Sequence, residues 1–149
     1  MLAALSIWPN AQGIGVDRSA DALAIAAANG ARHSPKAQFL QADWTQDDWT
    51  DALGTFDLIL ANPPYVEDAA DLAPSVRAHE PAGALFAGAD GLDDYRLLVP
   101  QLPALLTKNG IAMVEIGWTQ GAAVTTLAQA AGLHAILHRD LATRPRAIE

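Results

Sequence analysis

Asn62-Pro63-Pro64-Tyr65 is the stretch of this sequence with the clearest chemical capacity. A primary amide, two prolines and a phenol ring occupy four consecutive positions. Neither proline has a backbone N–H, and each holds φ near roughly −65°. Pro64 also pushes Pro63 into extended geometry. The backbone past Asn62 is therefore stiff and cannot extend a strand ladder. Such a cluster can grip a planar group bearing an NH2. The Asn62 oxygen and a main-chain carbonyl would accept its two hydrogens, and Tyr65 would pack on the plane. The chemistry this suits is alkylation of an amide or aromatic amine, a poor nucleophile because its lone pair is delocalised. Asn62 is no general base, so the gain comes from orientation and charge placement. By itself N-P-P reads equally as a loop asparagine opening a Pro-Pro turn, and Tyr65 as a core residue. The strand that leads into the motif and the added tyrosine favour the grip.

Two acids have a related capacity. Asp17 closes the short apolar run Gly13–Asp17 and precedes a helix. An acid at that place commonly accepts hydrogen bonds from a ribose diol, although it also complements a helix dipole. Asp43-Trp44 closes a second run, Ala37–Asp43. Its carboxylate can accept from an adenine amine, and its indole can flank the ring. The alternative is a strand-end Asx turn beside a surface tryptophan. Together Asp17 and Asp43 describe an adenosine site.

The elements that must position these groups alternate strand and helix. Met1–Trp8 is helix-compatible and ends at Pro9. Ser19 is a candidate N-cap for an alanine-rich helix from about Ala20 to Ala31. Phe56–Ala61 reads as a buried central strand covered on both faces, with Asn62 at its carboxyl end. Asp94–Thr107 has helical spacing broken by Pro100 and Pro103. Asn109-Gly110 reads as a turn before a strand over Ile111–Ile116. Thr119–Ala131 is a helix closed by Gly132, Leu133–His138 a strand, and Ala147-Ile148 the opening of a last one. This alternation predicts a parallel, doubly wound α/β sheet. In such a sheet ligands bind at strand carboxyl ends, so Asp17, Asp43-Trp44 and Asn62 are expected to converge.

The 149 residues predict one domain able to bury a core. With 51% hydrophobic and 17% charged residues the chain is globular. No apolar run approaches the ~18 residues of a membrane span, the start has no basic signal-peptide region, and a cytoplasmic location is the default. The absence of cysteine excludes disulfides, thiolate metal sites and a cysteine nucleophile. His33, His134 and His138 show no metal-ligand spacing, so no metal is expected. No serine lies in a G-x-S-x-G setting. A net charge of −8 argues against phosphate-backbone binding, and no DNA partner is expected.

Val66 to Asp94 is irregular and reads as an insertion. Its Arg77, His79, Glu80 and Pro81 and its Gly88–Tyr95 stretch form either a substrate lid or a solvated loop. Glu115, inside an apolar strand, requires a partner if buried.

Taken in order, Asp17 after GIGV, Asp43-Trp44, FDLILANPPYV, RAHEP, GADGLDDYR, MVEIG and DLATRPR resemble the HemK/PrmC glutamine methyltransferases over almost the whole chain. The resemblance implies a Rossmann-like class I S-adenosylmethionine-dependent methyltransferase sheet. It implies methylation of the side-chain amide of the GGQ glutamine in class 1 peptide-chain release factors, with S-adenosylmethionine as cofactor. Asp17 would hold the ribose and Asp43-Trp44 the adenine side. Asn62 would touch both cofactor and substrate, and Asn62, Pro63, Pro64 and Tyr65 would cradle the glutamine amide. The family's first strand, its glycine-rich loop and its N-terminal helical domain have no counterpart here. Residues 1–149 therefore read as a partial catalytic domain. The alternatives are a nucleic-acid amino methyltransferase with the same N-P-P-Y grip, or an inactive remnant.

Overall fold

Prolines are sparse in the first third of the chain, at positions 9 and 35, and frequent in the remainder, where seven of the nine lie. The computed structural model, which describes residues 1–34 and 36–149, divides accordingly into two units, Met1–Gly54 and Thr55–Glu149.

The first unit runs α1 (Leu2–Ile7), β1 (Gly13–Asp17), α2 (Ala20–His33) and β2 (Ala37–Gln41). Strands β1 and β2 pair in parallel from Gly13↔Ala37 to Asp17↔Gln41. Helix α2 starts where the sequence places its cap: Ser19 Oγ accepts from Ala22 N–H at 3.2 Å. Asp21 in the first turn and Arg32 and His33 in the last complement the helix dipole. Gly30 is buried because Phe39 of β2 packs against it, and a Cβ there would lie 2.5 Å from the ring. The ladder stops at Gln41, two residues before the expected end. Asp43 instead turns its carboxylate onto Thr45 N–H at 3.0 Å, an Asx turn that competes with strand continuation.

The second unit contains β3 (Phe56–Ala61), α3 (Pro74–His79), α4 (Asp93–Leu98), α5 (Leu102–Leu105), β4 (Leu106–Glu115), α6 (Gly121–Ala130), β5 (Leu137–Arg139) and β6 (Pro145–Ile148). A single 3-10 turn, Val99–Gln101, separates α4 from α5, so the helical stretch breaks at Pro100, while Pro103 sits in the first turn of α5. The sheet order is β3-β4-β6-β5. Strands β3 and β4 are parallel, whereas β6 runs antiparallel to both β4 and β5. The chain is α/β, but its sheet is mixed rather than wholly parallel. A short loop joins β5 to β6, and a tight connection can only deliver an antiparallel strand.

Three other expectations change. Strand β3 is not covered on both faces: among the described residues it pairs only with β4, and Leu58 and Leu60 are 39% and 54% exposed. Asn109-Gly110 lies within β4 as an irregularity, because Phe56 pairs Leu106 while Leu58 pairs Ile111. Strand β5 is confined to Leu137–Arg139, the stretch that faces β6. The core gathers Tyr95, Leu98, Val99, Leu102 and Leu105 against Val114, Ile116 and Val124. Each large side chain buried there stabilises by about 1.5–3 kcal/mol.

Candidate functional site

In the first unit the parallel register sets the ends of β1 and β2 side by side. Ala42 N–H donates to the Asp17 carbonyl at 3.2 Å, so the two acidic strand ends adjoin. Asp17 Oδ1 accepts from Ser19 N–H at 2.8 Å. Asp43 Oδ1 accepts from Thr45 N–H, and that bond is the main reason its carboxyl lies below the ordinary carboxylate range. Burial opposes the shift more weakly, and Arg18 adds a small attraction. An ionised carboxylate accepts up to about four hydrogen bonds, so each acid retains acceptor capacity beyond its own turn. The half-buried Trp44 follows directly.

In the second unit Asn62 is exposed at the carboxyl end of β3, and the chain turns inward at once. Pro63 is among the most deeply buried side chains, while Pro64 and Tyr65 are half-buried. The amide thus stands on a proline anchored in the interior.

Beside it the 66–94 segment is tied to the motif where residues 66–68 meet 85–88. Val66 N–H donates to the Leu85 carbonyl at 2.8 Å, Ala87 N–H to Val66 at 2.9 Å, and Asp68 N–H to Gly88 at 2.9 Å. The Val66↔Phe86 bridge they form docks the segment on the residue after Tyr65. Its acidic turn is closed by Arg96, which pairs with Asp90 and, at 2.9 Å, with Asp93. The Arg96 hydrogen bonds hold Asp90 below the ordinary carboxylate range. Gly88 and Gly91 have φ of +81° and +68°. At Gly91 a Cβ would meet the Tyr65 carbonyl oxygen at 2.4 Å, which explains why a glycine-rich turn lies here.

One side chain joins these parts. Gln120, 7% exposed, donates through Nε2 to the carbonyls of Tyr65 and Gly91, both at 3.0 Å. Its Oε1 accepts from Gly117 N–H at 3.0 Å.

The remaining candidates have structural partners. Glu115 pairs with Arg146 at 2.9 Å, the partner that its place in an apolar strand requires. Arg77 reaches back to the Ala70 carbonyl at 3.3 Å, and His79 and Glu80 are exposed. In DLATRPR, Asp140 Oδ1 accepts from Ala142 and Arg144 N–H and shapes the β5–β6 turn. His138 contacts Glu149 at 2.8 Å.

A family model described as methyltransferase small domain matches residues 2–80, a span that includes Asp17, Asp43-Trp44 and all of Asn62–Tyr65. The chain belongs to that family. Among curated relatives of this methyltransferase small-domain protein, the release factor glutamine methyltransferase of Caulobacter vibrioides is 41% identical over 153 aligned positions, covering 99% of this chain and 52% of the relative. That of Agrobacterium fabrum is 43% identical over 122 positions (80% and 41%), and that of Bacillus subtilis 40% over 114 (75% and 39%). The chain spans about half the length of the curated relatives it matches. No helix among the described residues is long and apolar enough to cross a membrane.

Sequence reasoning missed Gln120, which lies beyond the span that the family model matches. Its only local signal is a polar residue set between Gly117 and Gly121 where an apolar strand gives way to an apolar helix.

Proposed function

We propose that this chain carries the transfer machinery of a protein glutamine methyltransferase, acting on the side-chain amide of the GGQ glutamine of class 1 peptide-chain release factors. The observation that carries the reading is Asn62: an exposed primary amide at a strand's carboxyl end, standing on the buried Pro63. The likeness to relatives named release factor glutamine methyltransferases supports it.

S-adenosylmethionine fits the donor set. A ribose diol and an adenine amine offer hydrogen-bond donors, and Asp17 and Asp43 offer acceptors on adjoining strand ends. Asp17 would hold the ribose, Asp43 the adenine amine, and Trp44 the ring face. When bound, the cofactor would supply a sulfonium-activated methyl group, with a neutral thioether as the leaving group and the amide proton passing to solvent.

The chain's own residues supply the aim. Asn62 Oδ1 accepts one hydrogen of the substrate NH2, and a motif carbonyl accepts the other. Gln120 holds the Tyr65 carbonyl in place at the end of the motif. Two acceptors in the amide plane raise electron density on nitrogen and fix the direction of its lone pair. The half-buried ring of Tyr65 supports the substrate plane.

The test is transfer of labelled methyl from S-adenosylmethionine to a purified class 1 release factor, with the modified residue located by mass spectrometry. One added methyl on the GGQ glutamine is the expected result. Label on nucleic acid instead, or no label on the factor, would sink the proposal.

A further inference from the structure

We infer that Gln120 is a positioning residue for this transfer, holding the Asn62–Tyr65 loop in its working posture through the Tyr65 carbonyl and the Gly91 turn. The inference rests on the reading just given and adds a residue that touches no reactant.

The amide of Gln120 is used completely on its donor side. Its two N–H groups serve Tyr65 and Gly91, partners 55 and 29 positions away in the chain. The Asp90 carbonyl lies at 3.5 Å, and the Gly117 N–H occupies Oε1. A buried amide with these partners has one orientation, because flipping it would set oxygen against two carbonyls and NH2 against an N–H. The surroundings are cut to its shape. A Cβ at Gly91 would come within 2.7 Å of Nε2, and one at Gly117 within 2.7 Å of Oε1. Gly117 also borders the Tyr65 ring, 3.4 Å from such a Cβ.

The mechanical consequence lies in the two prolines. Between Asn62 and Tyr65 the φ angles of Pro63 and Pro64 are fixed, which leaves few torsions to absorb a displacement. Strand β3 holds one end of this short rod and Gln120 the other. Freeing Tyr65 therefore moves the carbonyls beside Asn62 and misdirects the amide grip. A misplacement of about 1 Å at a reacting centre costs on the order of 100-fold in rate.

The experiment compares the full chain with Gln120→Glu and Gln120→Met, using labelled S-adenosylmethionine and a release factor. Gln120→Glu keeps the acceptor for Gly117 but sets a carboxylate against two carbonyls. Val124→Ala, in the helix that Gln120 precedes and within the core, controls for lost stability. Both Gln120 variants should lower kcat by roughly 30-fold or more, with each KM within about threefold, while Val124→Ala keeps kcat within about twofold. Gln120 variants that match Val124→Ala in kcat would overturn the inference. If the unaltered chain transfers nothing, the activity reading fails by itself, and amide hydrogen exchange decides the positioning role. Gln120→Met should then speed exchange at Val66, Asp68 and Ala87 by about tenfold or more relative to α6 amides. Unchanged exchange at those three would overturn it.

Discussion

The hydroxyl of Tyr95 donates to the main-chain carbonyl of Glu115 at 2.9 Å, joining α4 to the last residue of β4. Strand β3 stops at Ala61, opposite Val114, so on that side Glu115 lies beyond the β3 ladder. A side chain from a packed helix meets its carbonyl instead. Tyr95→Phe keeps the buried ring and leaves this acceptor without its donor. We expect a loss of about 1–2 kcal/mol in urea unfolding.

The same tyrosine predicts a pH dependence. Burial, reinforced by Tyr65 and Glu115, pushes its hydroxyl well above the ordinary phenol range. Above about pH 10 the unfolded chain releases this proton while the folded chain keeps it, so the folded state binds more protons and stability falls as pH rises. The slope from this one group approaches about 1.4 kcal/mol per pH unit. Unfolding followed from pH 8 to 11 should show that component in the wild type and lack it in Tyr95→Phe; parallel curves would refute the assignment.

Asn62→Ala should separate chemistry from stability. Asn62 is exposed, so its truncation should shift the unfolding midpoint by no more than about 0.5 kcal/mol. Methyl transfer should fall by about 100-fold or more, the scale of losing an aimed polar group at a reacting centre. A variant that transfers normally would show the amide grip to be wrong.

Asp43 has a lowered carboxyl because Thr45 N–H donates to it, so any stability it contributes is present above about pH 4 and lost as pH falls further. The stability difference between wild type and Asp43→Asn should therefore shrink on acidification, and solvent keeps it small throughout. Calorimetric titration with S-adenosylmethionine should show at least about tenfold weaker binding for Asp43→Ala. Equal affinity would remove Asp43 from the adenine site.

A pair of glycines offers an internal comparison. Gly54 and Gly91 both have positive φ, +78° and +68°, yet a Cβ at Gly54 meets nothing within 4 Å. Gly54→Ala should cost only the left-handed penalty, about 1 kcal/mol. Gly91→Ala adds a collision with the Tyr65 carbonyl and should cost about 2–4 kcal/mol. Similar losses at both sites, measured by denaturant unfolding, would contradict the packing described around Gln120.

What could be read from the sequence was local. Ser19 caps α2 and Gly132, at φ +81°, closes α6, because each acts on backbone within one turn. Pro100 breaks its helix for the same reason. The adjoining ends of β1 and β2 followed from alternation alone. The exposure of Leu58 and Leu60 was not legible, since an apolar run does not state how many neighbours its strand has. Asn109-Gly110 has turn chemistry but sits in a strand, where the register shift opposite Phe56 accommodates it. Gln120 escaped notice because its meaning lies in carbonyls 55 and 29 positions away.

The half-paired edge of β3 has a consequence for self-association. Among the described residues the β3 edge away from β4 has no ladder partner, and with the exposed Leu58 and Leu60 it offers a template for strand addition by a second molecule. At neutral pH a net charge of −8 keeps molecules apart. That repulsion vanishes near the sequence pI of about 4.7, where turbidity should appear.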